Sequence, residues 1–487
     1  MKNTIKSFLM FGISILTLTA CDFSSILGSL NEIDDSNAPV FVTKELDDGT
    51  YSIAAGKGAK NVVDLVIPSS FEGKTISTIA NYGFKGLPKL KTLHIERNKG
   101  LTTIGQSAFE DCSSLHRVVI PDTIKTVGKN SFIKDSDELI IFCGKEEIPS
   151  GYNLPDSYSP AWETPTTMIF TGLDDYVENE DFCYGVKIDQ SLAICRYIGE
   201  EANVVIPDTY NDTKITEIKA LSFANHPKLR KLVLNNNITE IGRWAFYKSR
   251  KLEYALIPSS VKKIGKAAFL GNSENLLIFT ETTEDPDGYY DGSNLTPGYD
   301  TGDWNFSAHL TFRGFSSIAE TDTYFFAHTV KGYEWVIKYL GEETKVTIPA
   351  TFNNHKVVGI GSEAFKGHNR ITEVNLTSSI SSIGNYAFSG CTLLQRVAFN
   401  YDNDTVTTAE TLKIYDYAFE KTGLTSFWVP RNVIYLGKGI FNGTTFETIT
   451  YLDSKSKWDN IEKDRYWKSG SAIKTLDIAG STQSYSI

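Results

Sequence analysis

Residues 104–121 read IGQSAFEDCSSLHRVVIP. An Ile-Gly pair is followed by Ala108-Phe109, then by Leu115, Val118, Ile120 and Pro121 in the spacing L-x-x-V-x-I-P. The first half of this frame returns as VGKNSF ending at Phe132, IGRWAF at Phe246, IGKAAF at Phe269, IGSEAF at Phe365 and IGNYAF at Phe388. Looser copies end at Phe84, Phe223, Phe419 and Phe441, and the period is about 23 residues. The second half returns as LRKLVL (229–234), LEYALIP (252–258) and LTSFWVP (424–430). Apolar residues two apart point to one face of a strand. The proline cannot donate to a ladder and ends the strand. Each coil is therefore expected to hold a strand, a turn, a short I-x-x-I-G segment and a brief helical turn carrying Ala-Phe. One such unit cannot bury its apolar face alone, so the coils must stack into a solenoid.

A larger repeat lies above the coil. Residues 181–201 align without gaps to residues 323–343, an offset of 142, and both read as β-hairpins followed by a strand ending in Ile-Pro. Residues 45–68 resemble the same cassette with a small insertion. The first two cassettes close with a matching aromatic insertion, in which Tyr152 and Trp162 correspond to Tyr289 and Trp304. The resulting organisation is a leader at 1–20, a tether at 21–39, cassettes at 40–172, 173–314 and 315–452, and a C-terminal cap and tail at 453–487. The cassettes are expected to share one continuous core.

These coils resemble the BspA-like leucine-rich repeats of bacterial surface proteins, with a motif of roughly I-G-x-x-A-F-x-x-C-x-x-L-x-x-V-x-I-P. Ile104-Gly105, Ala108-Phe109, Cys112, Leu115, Val118, Ile120 and Pro121 fit it position by position. Residues 454–467, SKSKWDNIEKDRYW, are similar to the closing segment of such proteins. The fold class implied is a β-rich leucine-rich-repeat solenoid with short helical turns. The resemblance also implies surface attachment and binding of host or matrix proteins. Two departures stand out. Ala220-Leu221 lies in a copy without the glycine, and the step from Phe388 to Phe419 carries about eight extra residues around 402–411, where a bulge or loop is expected.

The N-terminus places Lys2 and Lys6 before a mostly apolar run of 12 residues, Phe8 to Thr19. That run is too short to span the roughly 30 Å of a bilayer and reads as a signal peptide. It ends in Leu18-Thr19-Ala20-Cys21, which resembles the bacterial lipobox, so Cys21 is the expected site of lipidation. The expected location is the bacterial cell envelope, outside the cytoplasmic membrane, with the membrane contacted through the lipid anchor only. The 487 residues carry a net charge of −11, or −13 once Lys2 and Lys6 are removed with the leader. An acidic surface repels phosphate backbones, which argues against nucleic acid as a partner.

No catalytic or metal-binding pattern emerges. The seven His form no HExxH, there is no G-x-S-x-G and no P-loop, and the stretch from Asp285 lacks the EF-hand positions. No enzyme activity and no cofactor are expected. Cys112 and Cys391 read as small buried side chains, and a cross-strand disulfide between Cys183 and Cys195 stays open. The residues that alternate outward along the strands are Arg117 and Val119, Lys231 and Val233, Tyr254 and Leu256, Arg396, and Trp428. They suit an extended protein partner, from the host or the envelope. Plain β-propensity accounts for any single one of them equally well. The insertion aromatics Tyr152, Trp162, Tyr289, Tyr290 and Trp304 offer an alternative glycan-stacking site, and a passive envelope spacer is a third reading.

Overall fold

The structure, a computed structural model, describes residues 38–97, 99–136, 138–149, 151–152, 167–285, 288–289, 308–400 and 411–487. The expected leader, Cys21, Trp162, Tyr290, Trp304 and nearly all of the loop at 402–411 lie outside them.

The chain is a β-solenoid consistent with a BspA-like leucine-rich repeat. Each coil adds one strand to each of two sheets. The L-x-x-V-x-I segments run parallel, as in Asp64–Ile67, Thr92–Ile95, Arg117–Ile120, Leu139–Cys143 and Thr167–Thr171. The I-x-x-I-G segments build the second sheet, which opens on the antiparallel hairpin Phe41–Glu45 and Tyr51–Ala55 and continues in parallel through Lys74–Ile79, Thr103–Ile104 and Thr126–Val127. The later hairpins, Phe182–Lys187 with Leu192–Tyr197 and Tyr324–Thr329 with Glu334–Tyr339, share register shifts after Cys183 and Phe325. The 142-residue duplication is thus kept down to the bulge.

The repeat phenylalanines form ladders. All ten are at most 2% exposed. Phe84, Phe109 and Phe132 stack at 5.3 and 5.6 Å between ring centroids. Phe365, Phe388, Phe419 and Phe441 stack at 4.8, 5.3 and 5.9 Å. The Ala-Phe segment is not the helical turn expected. The residue before Ala has a left-handed backbone, with φ of 51° at Ser107, 56° at Trp244 and 54° at Tyr386. A left-handed residue cannot continue a right-handed helix. Among the described residues the helices are one 3-10 turn, Lys57–Asn61, and one α-helix, Lys455–Asp459. The latter is capped by Ser454 and buries Trp458.

In three coils the residue three positions after the repeat Phe donates to the carbonyl of the Phe in the preceding coil. Cys112 Sγ donates to Phe84 O at 3.2 Å, Ser249 Oγ to Phe223 O at 2.6 Å and Cys391 Sγ to Phe365 O at 3.0 Å. The expected small, buried role of Cys112 and Cys391 therefore holds. Burial pushes both thiols up to about 12. Cys183 and Cys195 are also buried free thiols.

Asp135 occupies the same position. Its Oδ1 accepts from Cys112 N at 2.9 Å, while its Oδ2 is buried with no hydrogen bond. Burial holds this carboxyl up at about 8, against the opposing pull of the Cys112 amide. A carboxyl raised in the folded state binds its proton more tightly there. Its stabilisation is therefore full below the unfolded range near pH 4 and is lost as pH rises through about 8. Asp135→Asn keeps the Oδ1 acceptor for Cys112 N without the charge. It should be more stable than the wild type at pH 9 by about 3 kcal/mol relative to the same comparison at pH 5. Urea midpoints at both pH values check this, and a difference between the two proteins that does not change with pH defeats it.

Among the described residues the core is not continuous. Three separate apolar bodies fill the solenoid, from Ile53 to Tyr152, from Phe182 to Ile278 and from Phe326 to Ile478. Two smaller clusters lie at the joints. One holds Val119, Ile140, Phe142, Phe170, Leu173, Cys183, Ala193 and Cys195, and the other holds Tyr254, Leu256, Leu277, Phe279, Phe315, Phe325, Ala327 and Ile337. Each contains residues from the outer sheet face of one cassette and from the hairpin that follows it. The hairpin bends back over the sheet because both surfaces are apolar.

Candidate interaction surface

The joints decide which outward residues meet solvent. Arg117, Val119, Tyr254 and Leu256 do point away from the coil interior, but they are 6%, 3%, 3% and 7% exposed. The expectation that they lie on an open face is corrected: the next hairpin covers them. Tyr254 stacks on Phe325 at 4.3 Å, and Phe142 on Tyr176 at 4.9 Å. Lys231 and Val233 are half-buried beside the second joint.

Each joint is also held by an arginine–glutamate pair. Arg117 Nε donates to Glu178 Oε1 across the first. Arg230 makes a bidentate contact with Glu320 across the second, at 2.9 and 3.1 Å. Glu178 and Glu320 are 142 residues apart, so they hold the same place in the two covering hairpins. The Arg230 guanidinium holds Glu320 below the usual carboxylate range. Sequence reasoning missed these glutamates and the apolar outward residues Ile140, Phe142, Leu277 and Phe279. The signal available was the unbroken apolar runs LIIFC (139–143) and LIFT (277–280), which mark strands covered on both faces.

The third cassette differs. Its sheet is divided into Lys345–Thr347, Glu373–Thr377 and Arg396–Asn400 on one side, and Phe427–Val429, Thr448–Tyr451, Thr475–Ile478 and Ser484–Ser486 on the other. The division falls where the extra residues are inserted. Its outward positions are Glu373, Asn375, Arg396, Ala398, Trp428, Thr448, Thr450, Thr475 and Asp477. Among the described residues no hairpin packs on this face. The Arg396 side chain is 69% exposed and Trp428 is 58% exposed. Arg396 and Trp428 are therefore the two predicted interface residues that remain open, and they share one face.

A profile of the BspA type leucine rich repeat region matches six copies, at residues 58–150, 202–294 and 342–472. The chain belongs to this BspA-type family. The three matched stretches of this BspA-type chain leave out the hairpins at 173–197 and 315–339 that close the joints. Solved structures similar to it include a leucine rich cell surface protein from Faecalibacterium prausnitzii, at 21% identity, covering 88% of this chain and 99% of that one, with a TM-score of 0.24. A leucine-rich repeat protein from Bacteroides ovatus shares 15% identity over 92% of this chain and 99% of its own, with a TM-score of 0.28. The pneumococcal vaccine antigen PcpA shares 15% identity over 92% of this chain and 88% of its own, with a TM-score of 0.28. No curated protein matches the chain.

The insertion aromatics do not gather into a described site. Tyr152 is 8% exposed, and its hydroxyl donates to Ile124 O at 2.7 Å. The ring therefore pins the insertion to the coil and is removed from the glycan-stacking set. Tyr289 lies on the short strand Gly288–Tyr289, paired with Lys263–Ile264. Among the described residues no group of three His, Cys, Asp or Glu is placed to hold a metal, and no helix is long and apolar enough to cross a membrane.

Proposed function

We propose that this BspA-type chain is a non-enzymatic, lipid-anchored surface protein that binds a protein partner through the open sheet face of its third cassette. One observation carries the reading: the same face is covered in the first two cassettes and left open in the third, with Trp428 and Arg396 on it. Aromatic residues and arginine dominate the energetics of protein interfaces. The polar neighbours Thr448, Thr450 and Asp477 keep the face soluble when unoccupied. The anchor rests on the Ala20-Cys21 motif.

The test has two arms. The chain is probed against immobilised host and envelope proteins, before and after their deglycosylation. Binding should survive deglycosylation and fall more than tenfold in Arg396→Ala/Trp428→Ala, because a central Trp or Arg anchor is worth about 2 kcal/mol or more. Equal binding by the folded double variant removes this face from the function. In the second arm Cys21→Ala should move the protein from the membrane to the soluble fraction, and membrane retention counts against the anchor.

A further inference from the structure

We infer that the open face of the third cassette takes an extended protein strand that presents a carboxylate to Arg396 and an apolar side chain to Trp428. This rests on the protein-binding reading above and names the chemistry of the partner.

The protein already contains two solutions to the same docking problem. In the first cassette the face is closed by the hairpin strands Leu173–Glu178 and Phe182–Lys187, and in the second by Phe315–Glu320 and Tyr324–Thr329. Both covers carry a glutamate that meets an arginine at the start of a sheet strand, Glu178 on Arg117, which begins its strand, and Glu320 on Arg230, which immediately precedes Lys231–Val233. Arg396 is the third-cassette counterpart of Arg117. Each stands two residues after the repeat leucine, Leu115 or Leu394, and begins the equivalent strand. Arg117 receives its carboxylate from the cover, whereas the carboxylate seen on Arg396 is Glu373 of the neighbouring strand, at 3.4 Å. Glu373 is shared with Lys345, also at 3.4 Å. Two cations on one carboxylate leave a surplus positive charge at the Arg396 end of the face, with Asp477 on the strand Thr475–Ile478 toward the other end, on a chain whose net charge is −11. That charge favours an acidic partner.

Trp428 supplies the second anchor. In the covered cassettes the outward rings Phe142 and Phe279 meet Tyr176 and Phe325 of the covers, at 4.9 and 5.9 Å. Trp428 offers a similar outward ring that stands exposed. The threonines beside it distinguish this face from its apolar counterparts. It is built to be wet before the partner arrives, so the occupant is exchanged and not permanent. A strand bearing a carboxylate and an aromatic or branched side chain two positions apart reproduces what the internal covers do.

The probe is a synthetic peptide of residues 173–187 with Cys183→Ser, which carries Glu178 in its natural setting. Fluorescently labelled, it is titrated into the full chain and followed by anisotropy. Saturable binding is expected, weakened at least tenfold by Arg396→Glu in the protein or by Glu178→Gln in the peptide. It should be restored in part when Arg396→Glu meets a Glu178→Lys peptide. The Arg396→Glu substitution is at an exposed position and leaves the fold intact, which circular dichroism verifies. Failure of the wild-type chain to bind the peptide, or binding indifferent to Arg396, overturns the acidic-strand assignment. The protein-array result with the double variant stands or falls separately. Self-association in sedimentation that Arg396→Glu abolishes assigns the face to a second copy and likewise overturns it.

Discussion

Phe246→Ala is expected to lower stability by about 3–5 kcal/mol, the usual cost of emptying a phenylalanine site in a packed core. Phe246 is fully buried and stands in mid-ladder, with ring centroids 5.2 Å from Phe223 and 4.8 Å from Phe269. Truncation removes two ring contacts as well as the buried area, and each such pair is worth about 0.5–1.5 kcal/mol beyond burial. The backbone cannot collapse into the space, because Phe246 N donates to Ala268 O at 2.9 Å and fixes the coil spacing. The loss should also be local. The second core is separate from the first and third, and coils of a solenoid couple only to their neighbours. Urea unfolding should therefore split, with the second cassette melting first. Amide exchange should rise within residues 203–280 and change little within residues 345–400. A single transition shifted by less than about 1 kcal/mol contradicts the ladder account.

Gly265→Ala is expected to destabilise the chain by about 3 kcal/mol, the upper part of the range for inserting a methyl into a filled space. A Cβ at Gly265 would lie 2.4 Å from Arg243 N and 2.8 Å from Arg243 Cα and Gly242 C. These are backbone atoms of the preceding coil, so relief requires the coils to separate. In open space the same replacement would stabilise by about 0.4–1 kcal/mol through the unfolded chain. Clearance decides the sign. The first coils of the first two cassettes support this, and in the third, which keeps Gly361, a Cβ would stand 3.2 Å from Ile337 Cα. Ala80 and Lys219 stand where Gly265 stands, and there the preceding element is a hairpin strand whose register shifts after Tyr51 or Leu192. Ala80→Gly should accordingly cost only about 1 kcal/mol, from backbone entropy. Thermal denaturation of the two variants side by side decides the matter, and equal losses would count against coil spacing as the cause.

The repeat itself was open to reading from the sequence, because periodic burial writes periodic residues. The ten phenylalanines, the Ile-Gly pairs, the strand-ending prolines and the small buried position of Cys112 and Cys391 all follow from one coil touching the next at a fixed offset. The turn that carries Ala-Phe was misread. Its composition suits a helix, but nothing in Ser107, Trp244 or Tyr386 announces a left-handed backbone, which packing imposes on them. The interface residues were half legible. Alternation assigns a residue to the outer face and says nothing of what lies against that face. Arg117, Val119, Tyr254 and Leu256 have outward parity and are nonetheless covered by strands some sixty residues further along.

What the sequence determined alone is therefore the local and periodic part: the strand, the period of about 23 residues, the family and the duplication at offset 142. These depend on contacts between a residue and its counterpart one coil away. Which sheet faces are spent on holding cassettes together, and which one is left for a partner, was settled by the tertiary structure. That choice turns on long-range contacts such as Arg117 with Glu178 and Tyr254 with Phe325, whose partners share no fixed spacing with the repeat. Among the described residues the face bearing Arg396 and Trp428 stays open because the last hairpin, Thr475–Ile478 with Ser484–Ser486, extends the edge of the sheet and does not fold back over it.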